Sequence, residues 1–265
     1  MLENTTSLPS LLLIRTREAF VRGVIWAFIG TFYGVLFTIF SVLAEEWQLP
    51  LIHPFLFAGV LAATIGALIY SSMRLAVLIA IIISPVCAIL MLFSDQTISP
   101  FNLLLIISLV GAIAGGVYGR FNSNSRVYRA DAKTLTGFTA GLMVSVVGLF
   151  IDRLFPAMPI GVVIGIMCPL TGLVYVYLVP SFIRRFDNLL SSAGDGALVG
   201  IGVAVFLTLC NFVMVHSVDI DSTGAFHSLV HHVQYLLPQA ILGGMLGGSL
   251  AGVFSSLLFD NWQDL

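Results

Sequence analysis

The residues of this sequence best suited to chemistry are its histidines and the aspartates near them. Most of them fall in one stretch, as His216, Asp219, Asp221, His227, His231 and His232. If this stretch is helical from about residue 223, His227 and His231 stand one turn apart, where two imidazoles can bind one zinc, copper or nickel ion. The other candidate ligands are Asp219 and Asp221 of the same stretch, or His53 and Glu45 of an earlier one. The sequence thus offers a hypothetical divalent metal site at His227, His231, Asp219 and Asp221.

A second interpretation of this stretch is an amphipathic helix at a membrane surface, within 217–236. Ser222 or Thr223 can cap it, and one face then carries apolar residues turned to the membrane, namely Phe226, Leu229, Val230, Val233 and Leu237. The histidines would form a solvated polar flank. Because the histidine spacing matches no closed metal motif, this interpretation is favoured over the metal site.

Two prolines inside apolar stretches are candidates for a binding site. Pro85 and Pro169 each remove a backbone hydrogen bond, and interrupted helices at mid-depth form the sites of many carriers. Thr171 and Gly172 follow Pro169, so these residues are predicted to contact a substrate, although kinks for packing are the commoner role of such prolines. Asn211 is added because an amide is costly to bury without a partner.

The sequence lacks the usual signs of catalysis. It contains no nucleotide-binding loop and no HExxH arrangement, and no basic patch suited to nucleic acid. The interiors of its apolar stretches hold no Asp, Glu, Lys, Arg or His, which argues against a proton relay. The three cysteines, at positions 87, 168 and 210, all fall in apolar stretches and predict no disulfide framework. We therefore expect a protein that is not an enzyme and does not bind nucleic acid.

The elements that must position these residues are membrane helices. The chain of 265 residues is 58% hydrophobic and 9% charged, against about 25% charged in soluble domains. Windows long enough to cross a bilayer, each of roughly 18 to 23 residues, can be marked eight times. They are 23–44, 54–73, 75–94, 101–119, 134–151, 157–179, 196–215 and 237–259. The predicted fold is an all-α polytopic integral membrane helix bundle of about eight transmembrane helices.

The boundaries of this bundle follow from the same windows. A 1–19 cytoplasmic N-terminal segment precedes a single transmembrane domain at 20–259, which includes the outer-face loop with its short amphipathic helix at 217–236, and a cytoplasmic tail follows at 260–265. The first window is expected to remain as an uncleaved anchor, because its flanking apolar run is too short for a signal peptide. Only residues 71–74 separate the second and third windows, which predicts a tight turn there.

Small residues recur at four-residue spacing within the windows. In the stretch 237–254, Gly243, Gly247 and Ala251 form one row, and Gly244, Gly248 and Gly252 form another. Such rows let helix backbones approach closely in lipid, and tight packing is favoured over the alternative that bare faces line a path or bind a ligand.

A proline opens each even-numbered window, at positions 54, 100, 159 and 238. An aromatic residue follows sixteen residues later in three of the four, as Tyr70, Tyr175 and Phe254. This pattern leaves two interpretations open, four repeated helical hairpins or the general composition of membrane helices.

Loop charges predict the orientation. Ten of the eleven Lys and Arg residues fall on the side of the N-terminus once eight spans are accepted, and only Arg153 falls on the other. The positive-inside rule then places both termini in the cytoplasm of a bacterial-type inner or plasma membrane.

Two functions from different classes fit this sequence. The first, slightly favoured, is a small-solute carrier or channel without an intramembrane proton-relay carboxylate, because eight spans suit an autonomous bundle with an interior. The second is a non-enzymatic subunit that scaffolds or assembles a larger membrane complex. The expected partners are membrane lipids and other membrane helices, as a homo-oligomer or within a larger complex.

Overall fold

The protein is all-helical in the residues that this computed structural model describes, which are 8–46, 53–92, 100–121, 129–186, 189–215 and 225–258. Within these ranges there are eight helices. They are α1 (Leu8–Glu46), α2 (Pro54–Ser71), α3 (Met73–Leu92), α4 (Pro100–Phe121), α5 (Ala130–Leu154), α6 (Ile160–Arg185), α7 (Ser192–Val215) and α8 (Ala225–Leu258).

Each of these helices is long and apolar enough to cross a membrane. The eight predicted windows fall on the eight helices, so the predicted number of long apolar helices is confirmed for this part of the chain. Large apolar side chains also cover the outside of the bundle, where Ile81 is 65% exposed and Leu109 is 62% exposed. Such a surface is compatible with lipid as its surroundings.

The turn between α2 and α3 is as tight as predicted. Ser71 ends α2, Met73 begins α3, and Ser72 alone connects them. The Ser71 hydroxyl donates to the Leu68 carbonyl oxygen at 2.7 Å, which satisfies a buried polar group at the end of the helix. Two helices of about 20 residues therefore replace an apolar stretch too long for one span.

The last helix differs from the prediction. We expected a surface helix within 217–236 and a new helix starting at Pro238, but α8 is one helix with Pro238 inside it. Its first part carries Leu229, Val230 and Val233, which are buried in one cluster with Ile39 of α1 and Val213 of α7. The apolar face that was expected to meet lipid thus packs on other helices. This tertiary contact explains how the helix continues through a proline that removes one backbone bond.

The two glycine rows of α8 pack against two different helices. A methyl group on Gly244 would lie 2.1 Å from the Gly30 carbonyl oxygen of α1, and one on Gly243 would lie 2.0 Å from the Gly161 carbonyl oxygen of α6. The rows continue in the same way, with Gly248 and Gly252 against α1 and with Gly247 against α6. Any larger side chain would force these backbones apart, so the small residues serve packing, as favoured from the sequence.

Two further seams of small residues join α4 to α7 and α2 to α5. Gly111 and Gly115 of α4 meet Gly200 and Gly196 of α7, and Gly137 of α5 meets Ala63 of α2. Along both seams, residue numbers increase on one helix as they decrease on the other, so the two helices of each seam are antiparallel. The α1 and α8 pair is also antiparallel, whereas α6 and α8 are parallel.

Because consecutive helices run in opposite directions, the helices begin and end at two ends of the bundle. The beginnings of α1, α3, α5 and α7 lie at one end, together with the last turns of α2, α4, α6 and α8. This end, which we call the basic end, carries most of the Lys and Arg residues of the described chain, at positions 15, 17, 22, 74, 120, 129, 133, 184 and 185. Arg153 lies at the opposite end, in the last turn of α5.

The four consecutive hairpins are not packed alike. Helices α1 and α2 are close neighbours, as are α5 and α6, but α7 and α8 touch at few points. One of these points is the Gln234 side-chain amide, which donates to the Val213 carbonyl oxygen at 2.9 Å. The small-residue rows of α8 match α1 and α6 instead of α7, and this complementarity sets the packing.

Candidate functional site

A cavity lies between α1, α2, α5 and α6, in the half of the bundle nearer the basic end. Its volume is about 60 Å³. Since one water molecule needs roughly 10–15 Å³ of such space, about four water-sized groups fit inside. The lining residues are Trp26, Ile29, Gly30, Tyr33, Ala62, Ala63, Gly66, Ala67, Tyr70, Gly137, Cys168, Thr171, Gly172 and Tyr175.

Three hydroxyl groups of this lining have no hydrogen-bond partner among the described residues. They belong to Tyr33, Thr171 and Tyr175, whose exposed fractions are 5%, 7% and 7%. The Tyr33 and Thr171 hydroxyls lie near each other but do not meet hydrogen-bond geometry. Leaving a buried hydroxyl unsatisfied costs about 1–3 kcal/mol, so three in one cavity call for a bound partner.

Aromatic rings form much of the cavity wall. The Trp26 and Tyr70 ring centroids lie 5.8 Å apart, with the ring planes at 53°. The Tyr70 and Tyr175 centroids lie 6.3 Å apart, with the planes at 78°. The rings therefore stand at angles to one another around the space, and they offer both faces and edges to whatever occupies it.

Gly66 lies on α2 in the same wall and differs from the packing glycines. A methyl group on Gly66 would meet no atom within 4 Å, apart from its own helix and chain neighbours. Every other glycine of the described chain has an atom of a neighbouring residue within that distance. The small size of Gly66 thus serves no helix contact, and what it leaves free is cavity space.

The substrate residues predicted from the sequence are only partly brought together. Thr171 and Gly172 line the cavity, and both are buried. Pro169 lies inside α6 and contacts α8, where a methyl group on Gly247 would be 2.8 Å from its Cδ atom. Pro85 is exposed on α3, and Asn211 is half-buried on α7 beside Cys87. Pro85, Pro169 and Asn211 are thus not among the lining residues.

Most of the predicted metal site lies outside the described residues. Asp219 and Asp221 fall in the range 216–224, and the side chain of His227 is not described either. His231 is exposed on α8. Among the described residues, no group of three or more His, Cys, Asp or Glu side chains is placed to hold a metal ion. The hypothetical metal site stays a prediction.

His53, considered as an additional ligand, is engaged within the chain. Its Nδ1 atom accepts a hydrogen bond from the Phe55 backbone N–H at 3.3 Å and so caps α2. Its Nε2 atom lies 3.4 Å from the Asp152 carboxylate of α5. Both ring nitrogens therefore have partners, and a metal ion would have to displace one of them.

Four of the cavity residues that were not predicted from the sequence are aromatic, namely Trp26, Tyr33, Tyr70 and Tyr175. Trp26 and Tyr70 resemble interfacial anchors by their place near the ends of windows, yet both line the cavity. One signal was present, because Tyr70 and Tyr175 each follow a window-opening proline by sixteen residues. Tyr70 of α2 and Tyr175 of α6 lie at a similar depth in the bundle, with their ring centroids 6.3 Å apart.

Two carboxylates and a lysine are buried at the basic end. Asp131, Lys133 and Asp195 are each less than 10% exposed. Asp195, in the first turn of α7, is buried against the start of α5. The Asp131 side chain accepts from the Leu190 backbone N–H at 3.1 Å and from that of Ala132 at 2.7 Å. These hydrogen bonds give the Asp131 carboxylate a structural role at the start of α5.

The described residues thus define an all-helical protein whose eight apolar helices are compatible with a multi-pass membrane protein. Comparison of the chain with protein-family models, with curated proteins and with solved structures gives no significant match.

Proposed function

We propose that this protein is a carrier or channel for a small uncharged solute, with the cavity between α1, α2, α5 and α6 as part of its path. The observation that carries the proposal is the set of unpartnered hydroxyls at Tyr33, Thr171 and Tyr175. Ligand pockets combine an apolar lining with a few polar groups that orient the ligand, and this cavity has that composition.

We take the solute to be uncharged because the side chains that line the cavity carry no formal charge. No Asp, Glu, Lys, Arg or His is among the lining residues. An ion without a partner is costly to bury in such surroundings. The same absence favours passive movement over proton coupling, which depends on an ionisable group within the membrane.

The proposed orientation and location are supported by the charges of the basic end. Nine basic residues of the described chain gather there, which supports a cytoplasmic position for that end and for both termini, in a bacterial-type inner or plasma membrane. Cysteine labelling of whole cells tests this proposal. Cysteines in 122–128 should react with impermeant reagents only after the cells are opened, and cysteines in 216–224 should react before. Labelling of both from the same face would contradict it.

Transport is tested in vesicles that contain only this chain. Stopped-flow light scattering of proteoliposomes in gradients of urea, glycerol or acetamide should show faster entry of at least one solute than in empty vesicles. The Tyr33→Phe/Tyr175→Phe variant should fold, because phenylalanine keeps both aromatic rings. Solute entry should be slower with this variant than with the wild type. Equal rates in protein-containing and empty vesicles for all three solutes would contradict transport.

The second candidate is a non-enzymatic subunit that scaffolds or assembles a larger membrane complex. It is supported by the exposed apolar faces of α3 and α4, which include Val77, Ile81, Leu109 and Ile113. These faces suit lipid or helices of another chain, whether a second copy or a different subunit. Purification in mild detergent distinguishes the candidates, since stable co-purification with other subunits together with no flux would favour assembly over transport.

A further inference from the structure

We infer that the cavity is a binding site for a small neutral amide or alcohol, and that Gly66 keeps it open. This inference deepens the proposed function by naming a ligand class for the same site. Binding can, however, be measured without transport, so the two can fail separately.

Gly66 lies inside α2, where a glycine lowers the stability of the helix. Glycine in a helix interior is less favourable than alanine, and close helix packing usually explains its presence. That explanation fails at Gly66, where a methyl group would meet open space. An alanine there would fit against the protein but would narrow the cavity.

The hydroxyls set the chemistry of the ligand. Each of the Tyr33, Thr171 and Tyr175 hydroxyls can donate one hydrogen bond and accept others. All three are more than nine-tenths buried in the same cavity, without a partner among the described residues. A ligand that both donates and accepts, as an amide or an alcohol does, can satisfy more of them than a pure acceptor can.

The volume of the cavity and its uncharged lining narrow the class of ligand further. A cavity of about 60 Å³ is well below the roughly 150 Å³ of an apolar cavity that takes up benzene. A ligand of a few non-hydrogen atoms is therefore the right size. The lining carries no charged side chain, so a neutral molecule is preferred to an ion.

Trp26 provides a reporter inside the cavity. The chain has three tryptophans, and replacing Trp47 and Trp262 with phenylalanine leaves Trp26 as the single source of indole fluorescence. Acrylamide is a small neutral amide that quenches this fluorescence on contact. It should quench Trp26 efficiently in the purified protein, although the side chain is only 7% exposed, whereas iodide should not. Acetamide, which does not quench, should protect Trp26 with saturation.

Two variants test the named residues. Gly66→Leu should weaken acrylamide quenching by at least about tenfold, because a single surplus methylene in a filled pocket already has an effect of that size and leucine adds four carbon atoms. Gly116→Leu is the control, because Gly116 lies on α4 outside the lining and a methyl group there meets neighbours only at 3.5 Å and beyond. Tyr33→Phe/Tyr175→Phe should leave the space open and weaken acetamide protection by about tenfold, as expected when hydrogen bonds to a ligand are lost.

Several results would overturn the inference. They are quenching of Trp26 that neither acetamide nor Gly66→Leu changes, equal quenching by iodide and acrylamide, and acetamide protection that survives loss of both tyrosine hydroxyls. Any of these would leave a cavity that holds water only or admits solutes without selection. Saturable protection in a protein that shows no flux would instead support the binding site and contradict transport alone.

Discussion

The Asp195 carboxylate accepts a hydrogen bond from the backbone N–H of Asp131, with 3.2 Å between the Asp131 nitrogen and Asp195 Oδ1. Asp131 is in the first turn of α5, where backbone N–H groups have no partner within the helix. The residue before α5, Arg129, provides no side-chain cap. Asp195 of α7 thus caps α5 from a different helix and joins the two at the basic end.

This relationship predicts a loss of stability when the carboxylate is removed. Asp195→Ala should lower the free energy of unfolding by about 1 kcal/mol, the usual effect of losing a helix cap. Asp195→Asn retains an acceptor oxygen and should lose less. The measurement is the midpoint of thermal unfolding in mild detergent, with Glu18→Ala as an exposed-carboxylate control. A midpoint of Asp195→Ala equal to that of the wild type would show that this cap contributes nothing.

Gly66 and Gly30 should respond in opposite directions to the same substitution. Gly66→Ala should raise the free energy of unfolding by roughly 0.5–1 kcal/mol, because alanine favours the helix and meets no obstacle. Gly30→Ala should lower it by roughly 1–3 kcal/mol, because its methyl group would lie 2.0 Å from the Gly244 carbonyl oxygen. Thermal unfolding of both variants provides the comparison. The prediction fails if the Gly66 variant loses as much stability as the Gly30 variant.

Two buried threonines, one with and one without a hydrogen-bond partner for its hydroxyl, allow a test of the cavity hydroxyls. The Thr136 hydroxyl donates to the Ala132 carbonyl oxygen at 2.7 Å, whereas the Thr171 hydroxyl has no partner in the described chain. Thr136→Val should therefore cost about 1 kcal/mol of stability, and Thr171→Val should cost less. Thr171→Val alone should weaken acetamide protection of Trp26. Equal destabilisation by the two substitutions would mean that Thr171 has a partner in the folded protein.

His53 is expected to stabilise the opposite end of the bundle mainly as the cap of α2. His53→Ala should lower the free energy of unfolding by about 0.5–1 kcal/mol, while His53→Asn, which restores a capping oxygen, should recover most of it. Asp152→Asn should have a smaller effect, because a contact this exposed contributes little. If Asp152→Asn cost more than His53→Ala, the contact with Asp152 would be the dominant interaction of His53.

The predicted metal site is tested by metal analysis of the purified protein. If His227 and His231 bind a divalent ion, the wild type should contain about one equivalent of zinc, copper or nickel, as expected for a single site. The His227→Ala/His231→Ala variant should then contain far less. Equal and substoichiometric metal in both proteins would rule the site out.

The helices could be predicted from the sequence because each depends on local composition. Apolar length located all eight, and the four residues at 71–74 were enough to place the turn before Met73. Which helices would become neighbours could not be predicted. The glycine rows of α8 show that two faces pack tightly, but nothing local identifies α1 and α6 as the helices they meet. The run of α8 through Pro238 likewise depends on the burial of Leu229 and Val233 by other helices.

The cavity was harder to predict because it is a space where helices do not touch, and sequence patterns indicate contacts. Gly66 looks like any packing glycine in the sequence, and only its neighbours in space show that it contacts no other helix. Thr171 and Gly172 were predicted from the nearby Pro169, which itself packs against α8. The prolines at 85 and 169 gave a reason to expect a site but not its position. That position depends on how four helices separated in sequence come together.

The place of α8 between α1 and α6 has a consequence for biosynthesis. Helix α8 leaves the ribosome after α1 and α6, yet the backbones of both pack on its glycine rows, at Gly30 and Gly34 of α1 and at Gly161 of α6. Until α8 is made, these glycines lack the helix that they contact in the folded protein. A chain stalled before α8 would therefore leave two helix faces made for close backbone contact uncovered in the bilayer.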